Sequence, residues 1–427
     1  MSPSRVVVVH RGARDAYEVS RALAGAGLLE RLVTDLYLPA DRTWAKGLSR
    51  ILPSPLAAML KARNNPGLPS SLVSQSLVSG LTSFALDKLP RVPFSWRRRA
   101  TRWADASLGR HAARLAAEAE SLLLSYSYYA YHAFSNFSGP RILFQLHPHP
   151  VSVRRILTQE LADHPDCAAS LRKEWELALP AEDFERIVLE PQIAGRILVA
   201  SSFTKRTLIE NGVSASVISV IPYGVDLERF TPAPRSRSSA GPLRLLFAGT
   251  INQRKGIKYL VAALRTLRHR EIRLTICGRV VDDLSVLKPI ASQVDLRPSV
   301  SAAELVSAYR EADLFVLPSV AEGFGQVLLE ALACGVPVLS TSHTAAPDLV
   351  DEGVHGFVVE PRRADLLAER IEWALCHRAA LAEMRVGARA RAEQFHWSRF
   401  RESLVDAVLR SPVETKDSSL EALAQHV

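Results

Sequence analysis

The chain opens with four consecutive valines, Val6–Val9, set between Arg5 and His10, an apolar run of strand length. A polar turn, His10–Asp15, leads into a helical pattern from Tyr17 to Ala26, and Leu32–Asp35 reads as a second short strand. Strand, turn, helix and strand in that order begin a parallel α/β sheet. Residues 40–105 lose this rhythm, because prolines at 53, 55, 66, 69, 90 and 93 divide them into short apolar–basic pieces. Helices are expected over Leu48–Ala62, Ser70–Leu86 and Ala104–Leu124. Arg141–His147 is again a strand and ends in His147-Pro-His149-Pro. Residues 151–195 read as helical and charged, and Arg196–Ala200 returns to strand. Ser201-Ser202 opens a helix that Asn211-Gly212 closes. Val217–Ile221 is the last strand of this half.

Pro222-Tyr-Gly-Val-Asp226 then leaves the sheet, and the Pro/Ser/Arg/Gly-rich stretch Thr231–Pro242 marks a boundary. Beyond it the alternation is cleaner. Strands are expected at Leu243–Ala248, Leu274–Cys277, Leu314–Pro318, Val336–Ser340 and Gly356–Val359. Helices are expected at Ile257–Arg268, Ala302–Arg310, Val327–Ala333 and Ala364–Leu375. Short apolar strands separated by helices indicate a doubly wound parallel sheet whose ligands sit at the carboxyl ends of the strands. The organisation expected is a first domain over 1–230 with a basic helical insertion at 41–115, then a linker at 231–242. A second domain at 243–395 and a helix at 396–410 crossing back to the first domain follow, with a loose polar tail at 411–427.

Composition narrows the class. The 427 residues are 48% apolar and 23% charged, ordinary for a folded chain. The four cysteines, Cys167, Cys277, Cys334 and Cys376, form no Cys-x-x-Cys pair, and no His cluster has metal spacing. A disulfide framework and a metal site are therefore not expected, and a reducing cytoplasm is. Neither a signal core nor an apolar stretch of about 20 residues is visible. The net charge of +9 is concentrated in residues 41–115, where thirteen Lys/Arg face only Asp41, Asp87 and Asp105. Apolar–basic alternation there, with the Phe94-Ser-Trp96, Arg97–Arg99 and Trp103 cluster, suits docking to an anionic membrane surface. A solvated face is the plainer reading. Nucleic acid ranks last, because no recognition motif accompanies the charge.

Candidate chemistry centres on Glu322-Gly-Phe-Gly-Gln-Val-Leu-Leu-Glu330, which follows the strand Asp313–Ser319. Two glycines flank Phe324 where a loop becomes a helix, so backbone N–H groups can approach an anion. A carboxylate on either side suits a ligand that is anionic in the middle and hydroxyl-rich at both ends. Gly249-Thr-Ile-Asn-Gln-Arg-Lys-Gly256 places Arg254 and Lys255 after another strand, a pattern fit for phosphates.

These segments resemble the family 4 retaining glycosyltransferases of the GT-B fold, two Rossmann-like domains facing across a cleft. Glu322 and Glu330 match the E-x7-E signature, Gly249–Gly256 the phosphate loop, and Pro222–Asp226 the interdomain turn. Ser319–Gly325, Ala333–Val338 and Glu352–Pro361 match further pieces. The resemblance implies a hexosyltransferase-type enzyme using a nucleotide-diphosphate sugar as co-substrate, with no cofactor and no metal. It assigns Glu322 to the transferred sugar, with the Phe324 and Gly325 amides near the sugar and phosphates. Lys255 and Arg254 would take the leaving diphosphate, Glu330 the ribose, and the Val327 and Leu328 amides an anion. Gly249 and Thr250 would border the donor, although the family often has Arg where this chain has Thr250. Thr344-Ala345 stands where the family often has Gly-Gly. On the acceptor side Gly12, Arg14, Asp15, Tyr17 and His149 are candidates, and His147 is the histidine expected to meet the sugar. The acceptor would be a glycan or a lipid-linked precursor. Two other readings stay open: a nucleotide-sugar epimerase or hydrolase of the same fold, and a non-catalytic scaffold at the membrane periphery.

Overall fold

A computed structural model describes residues 5–38, 63–76, 93–233, 241–281 and 283–410. Seven strands form the first sheet: β1 (Val6–Val9), β2 (Leu29–Thr34), β3 (Val73–Gln75), β4 (Leu122–Tyr126), β5 (Arg141–Gln145), β6 (Arg196–Val199) and β7 (Ile218–Val220). Their order is β3-β2-β1-β4-β5-β6-β7, with every pair parallel. The second sheet comprises β8 (Leu243–Ala248), β9 (Ile272–Cys277), β10 (Val294–Arg297), β11 (Leu314–Leu317), β12 (Val338–Thr341) and β13 (Gly356–Val359). Its order, β10-β9-β8-β11-β12-β13, is also fully parallel. Strand order reverses between β1 and β4 in one sheet and between β8 and β11 in the other. Those reversals open the crevices in which such sheets bind ligands.

Most expected elements are present within a few residues. Two differ in kind. The helix expected over Ala104–Leu124 runs Phe94–Glu118 and stops there. Glu120 turns the chain at φ 48°, and Leu122–Tyr126 is the buried central strand β4. The helix expected over Ser70–Leu86 is a short turn, Ser70–Leu72, followed by β3, and its remainder lies outside the described residues. Leu48–Ala62 lies outside them as well.

The two domains are joined twice. Val225 bonds to the Phe395 carbonyl at 2.8 Å, and a Cβ on Gly224 would lie 2.5 Å from Trp397. The helix Trp397–Leu409 then packs Phe400, Leu404, Ala407 and Val408 into the first domain's core beside Val6, Val8 and Leu23. Arg401 fixes it to Glu18 at 2.7 Å. Among the described residues no helix is long and apolar enough to cross a membrane.

Candidate active site

The phosphate loop begins where β8 ends. Asn252 caps its last turn by accepting from the Lys255 N–H at 3.2 Å. Gly256 closes it with φ 75°, and a Cβ there would sit 1.9 Å from the Pro318 carbonyl oxygen. Only glycine combines that conformation with that approach to the end of β11. The loop is thereby pressed against the segment carrying Glu322, and the Lys255 ammonium is ion-paired with the Glu322 carboxylate. Burial pushes the Glu322 carboxyl up, but Lys255 and then Arg254 outweigh it and hold the group below the usual glutamate range.

Arg254, expected to face a diphosphate, is held by the first domain. Its guanidinium donates to Glu174 at 2.8 Å and Glu176 at 3.3 Å, and to the Ala321 carbonyl at 3.1 Å. Glu176 also accepts from the Tyr128 hydroxyl at 2.6 Å, and Asn252 donates to Glu174 at 3.0 Å.

Further along, Gly325 caps the helix Gln326–Ala333 without any side-chain cap, so this helix start carries its partial positive charge unmasked. Val327 is half-buried and Leu328 fully buried. Glu330 accepts from the Tyr309 hydroxyl at 2.9 Å, and burial raises its pKa. Phe324 is buried, with its ring 5.3 Å from that of Tyr223. Gly249 and Thr250 are half-buried at the mouth of β8.

The first domain meets this turn directly. A Cβ on Gly323 would fall 2.0 Å from the Leu146 carbonyl, and the Gly323 carbonyl accepts from Ser201 at 2.5 Å and Thr204 at 3.2 Å. His147, the residue after Leu146, stands edge-on to Tyr128 with ring centroids 5.0 Å apart. Burial, with Arg254 adding to it, lowers its pKa to about 4, so the imidazole is neutral. His147, Arg254, Glu174, Glu176, Arg14 and Tyr129 line one cavity of about 300 Å³ between the domains. Glu322, Lys255, Arg254 and His147 are therefore brought together. Glu330 lies one helical stretch beyond them.

The acceptor candidates divide. Gly12 donates its N–H to Asp35 at 3.0 Å, and Arg14 donates to the Tyr129 hydroxyl; both border cavities. Asp15 is half-buried, but its carboxyl is enclosed and accepts from the Tyr126 hydroxyl at 2.8 Å, and that enclosure pushes it up to about 7. Tyr17 is fully buried, packed against His10 and Tyr37. His149 caps the helix Pro150–Asp163, taking the Val151 N–H on Nδ1, while its own N–H goes to Thr207. Its contacts belong to that helix start and to the neighbouring helix Ser202–Glu210, which carries Thr207.

Sequence reasoning missed Glu174, Glu176, Tyr128 and Tyr129. The paired tyrosines just beyond β4 were a usable signal. The two glutamates, in a charged helical stretch, carried none.

Residues 232–393 match the family described as glycosyl transferases, group 1. A D-inositol 3-phosphate glycosyltransferase of Arthrobacter sp. (strain FB24) is 38% identical over 199 residues, 43% of this chain and 47% of that protein. One from Actinosynnema mirum is 34% identical over 274 residues, 56% of this chain and 65% of that protein. The chain spans about half the length of the first of these relatives. Sucrose-phosphate synthase from Thermosynechococcus elongatus has the same fold, with a TM-score of 0.64 at 18% identity over 94% of this chain and 98% of that one. So does Anabaena HepE in complex with UDP and glucose, with a TM-score of 0.59 at 17% identity, covering 95% and 99%. The match to the group 1 glycosyl transferases thus spans residues 232–393, and the two facing sheets have the GT-B fold that the motifs implied.

Proposed function

We propose that the chain is a retaining glycosyltransferase that moves a sugar from a nucleotide-diphosphate sugar to a hydroxyl bound against the first domain. The observation that carries this reading is the meeting of Lys255, Glu322 and His147 where the switch points of the two sheets face each other. With no evident protein nucleophile, catalysis would rest on positioning and on stabilising the departing diphosphate. Lys255 and Arg254 are the cations for that task. Both are neutralised by carboxylates, two of them, Glu174 and Glu176, from the opposite domain. A diphosphate arriving on top of those carboxylates would be repelled. Donor entry thus requires the domains to part and the Arg254 contacts to be exchanged, a gating motion about residues 222–226 and 394–397. The curated relatives named D-inositol 3-phosphate glycosyltransferase and the UDP complexes of the Anabaena neighbour support the donor class.

Transfer from a panel of UDP-, GDP- and ADP-sugars tests the reading. Lys255→Ala or Glu330→Ala should lower turnover about 100-fold or more. Near-normal transfer with both changed would overturn the assignment, and conversion of the donor without acceptor would favour an epimerase.

A second reading concerns location. On the helix Phe94–Glu118, Trp96 and Trp103 are 68% and 49% exposed, and Arg99, Arg110 and Arg114 share their outward side. This aromatic–basic stripe suits an anionic lipid surface. Co-sedimentation with anionic vesicles at low salt, lost in Trp96→Ser/Trp103→Ser, is the expected result; equal sedimentation of the variant would reject it.

A further inference from the structure

A second cavity, of about 280 Å³, lies in the first domain beside the cleft, and the donor reading leaves it unused. Its walls bring together Arg11 and Arg14 from the loop after β1 with Arg63, Asp35 and Tyr129. Three guanidinium groups thus share one small space with one carboxylate of the lining. Asp35 is already engaged by Arg63 at 2.8 Å and by the Gly12 N–H at 3.0 Å. Arg11 is paired with Asp105 at 2.9 Å. Arg14 differs from both. Its contacts are with Tyr129, to whose hydroxyl it donates and whose ring centroid lies 4.9 Å from its guanidinium carbon. Among the described residues no carboxylate is ion-paired with Arg14.

The backbone that presents Arg14 is held in an unusual shape. Asp15, Ala16 and Tyr17 follow it at φ 43°, 51° and 64°, three successive non-glycine residues in the left-handed region. Such strain persists only where the surroundings enforce it. Here Tyr126 bonds the Asp15 carboxyl at 2.8 Å, and Asn65 donates to the Ala16 carbonyl at 2.8 Å. Arg14 and Tyr129 also line the 300 Å³ cavity that holds His147 and Arg254, so they form the wall shared by the two spaces.

We propose that the second cavity is an anion subsite for the acceptor, in which Arg14, with Arg11 and Arg63, holds a phosphate ester group while the acceptor's hydroxyl extends past Tyr129 toward the donor. Guanidinium groups suit this task because their planar fork matches phosphate oxygens in pairs. The proposal rests on the glycosyltransferase reading for its second half only; the anion subsite stands on its own geometry.

Calorimetric titration of the full chain with glycerol 3-phosphate tests it, with glycerol as the uncharged control and saturating nucleoside diphosphate to fill the donor site. Glycerol 3-phosphate should bind and glycerol should not. Arg14→Gln should weaken the phosphate ester about tenfold or more, and Arg14→Lys should recover part of the loss. A separate nucleoside diphosphate titration should be weakened far more by Lys255→Gln than by Arg14→Gln. No binding of glycerol 3-phosphate, or binding that Arg14→Gln leaves intact, would overturn the subsite. So would binding lost in Lys255→Gln and kept in Arg14→Gln, which would place the phosphate in the donor site. Arg14-dependent binding in a protein that takes no nucleoside diphosphate would support the subsite and overturn the donor reading.

Discussion

The second domain gathers its site from two neighbouring strand–loop–helix units, Gly249–Gly256 after β8 and Glu322–Glu330 after β11. The first domain assembles its side of the cleft from distant segments: Arg14 after β1, Tyr128 and Tyr129 after β4, His147 after β5, and Glu174 and Glu176 from the helical stretch that follows. Both sheets have the same parallel, doubly wound plan. The proposed function traces the difference to what each would bind. A diphosphate is one compact anion, and backbone amides with a cation at short spacing hold such a group, which writes a contiguous pattern into the sequence. An acceptor is read by side chains that converge only in space, and convergence leaves no spacing to read.

The largest effect is expected at the Lys255–Glu322 pair of the second domain. Lys255→Met strands a carboxylate that is only 21% exposed, and should cost about 2–3 kcal/mol in urea unfolding, with the partial exposure keeping the loss at the low end. Lys255→Met/Glu322→Gln should regain most of that loss. Equal losses in the single and double variants would mean that the pair does not set the charge balance of the second domain's site.

Next comes the seam between the halves. Gly323→Ala drives a methyl into the Leu146 carbonyl, and about 1–3 kcal/mol of stability should be lost through overpacking. An unchanged unfolding midpoint would show that the domains do not meet there in solution.

Two smaller effects belong to the first domain alone. His10 is buried between Tyr17 and Tyr126, with both ring nitrogens unpartnered among the described residues. Burial, reinforced by Arg14, lowers its pKa from 6.5 to about 4. The unfolded chain therefore binds a proton at this site that the folded chain refuses, and stability from it is lost as pH falls from 6.5 to about 4. His10→Phe should lose less stability than the native chain over that window; parallel curves would contradict the buried, neutral imidazole. Smallest of all, Ala16→Gly should raise stability by about 0.5–1 kcal/mol by relieving a left-handed alanine. A loss instead would show that the strained loop depends on the Ala16 methyl.

The same contrast governs how much of the structure could be read from the sequence. β8 and β13 were legible to the residue, because apolar residues dominate each and a proline, glycine or polar position bounds it. β4 was not. Its Leu122-Leu-Leu run follows an Ala-rich helix with no glycine between them, and the break is made by Glu120 in a left-handed turn that the sequence does not announce. β10, at the sheet edge and largely half-exposed, has too little apolar pattern to stand out. In the site, Lys255 and Glu322 were legible, while the engagement of Arg254 by Glu174 and Glu176 was not, since those partners lie about eighty residues away. The fate of His149 turned on a local competition: followed by Pro150, its ring caps a helix.

The proposed function makes the loop Gly249–Gly256 a diphosphate site of the second domain, built around Lys255. Titrating UDP, GDP and ADP into the native chain and into Lys255→Gln tests it most directly. At least one of the three should bind the native chain, and the variant should bind it about tenfold or more weakly. Equal affinity in the variant, or no binding of any of the three by the native chain, would contradict it.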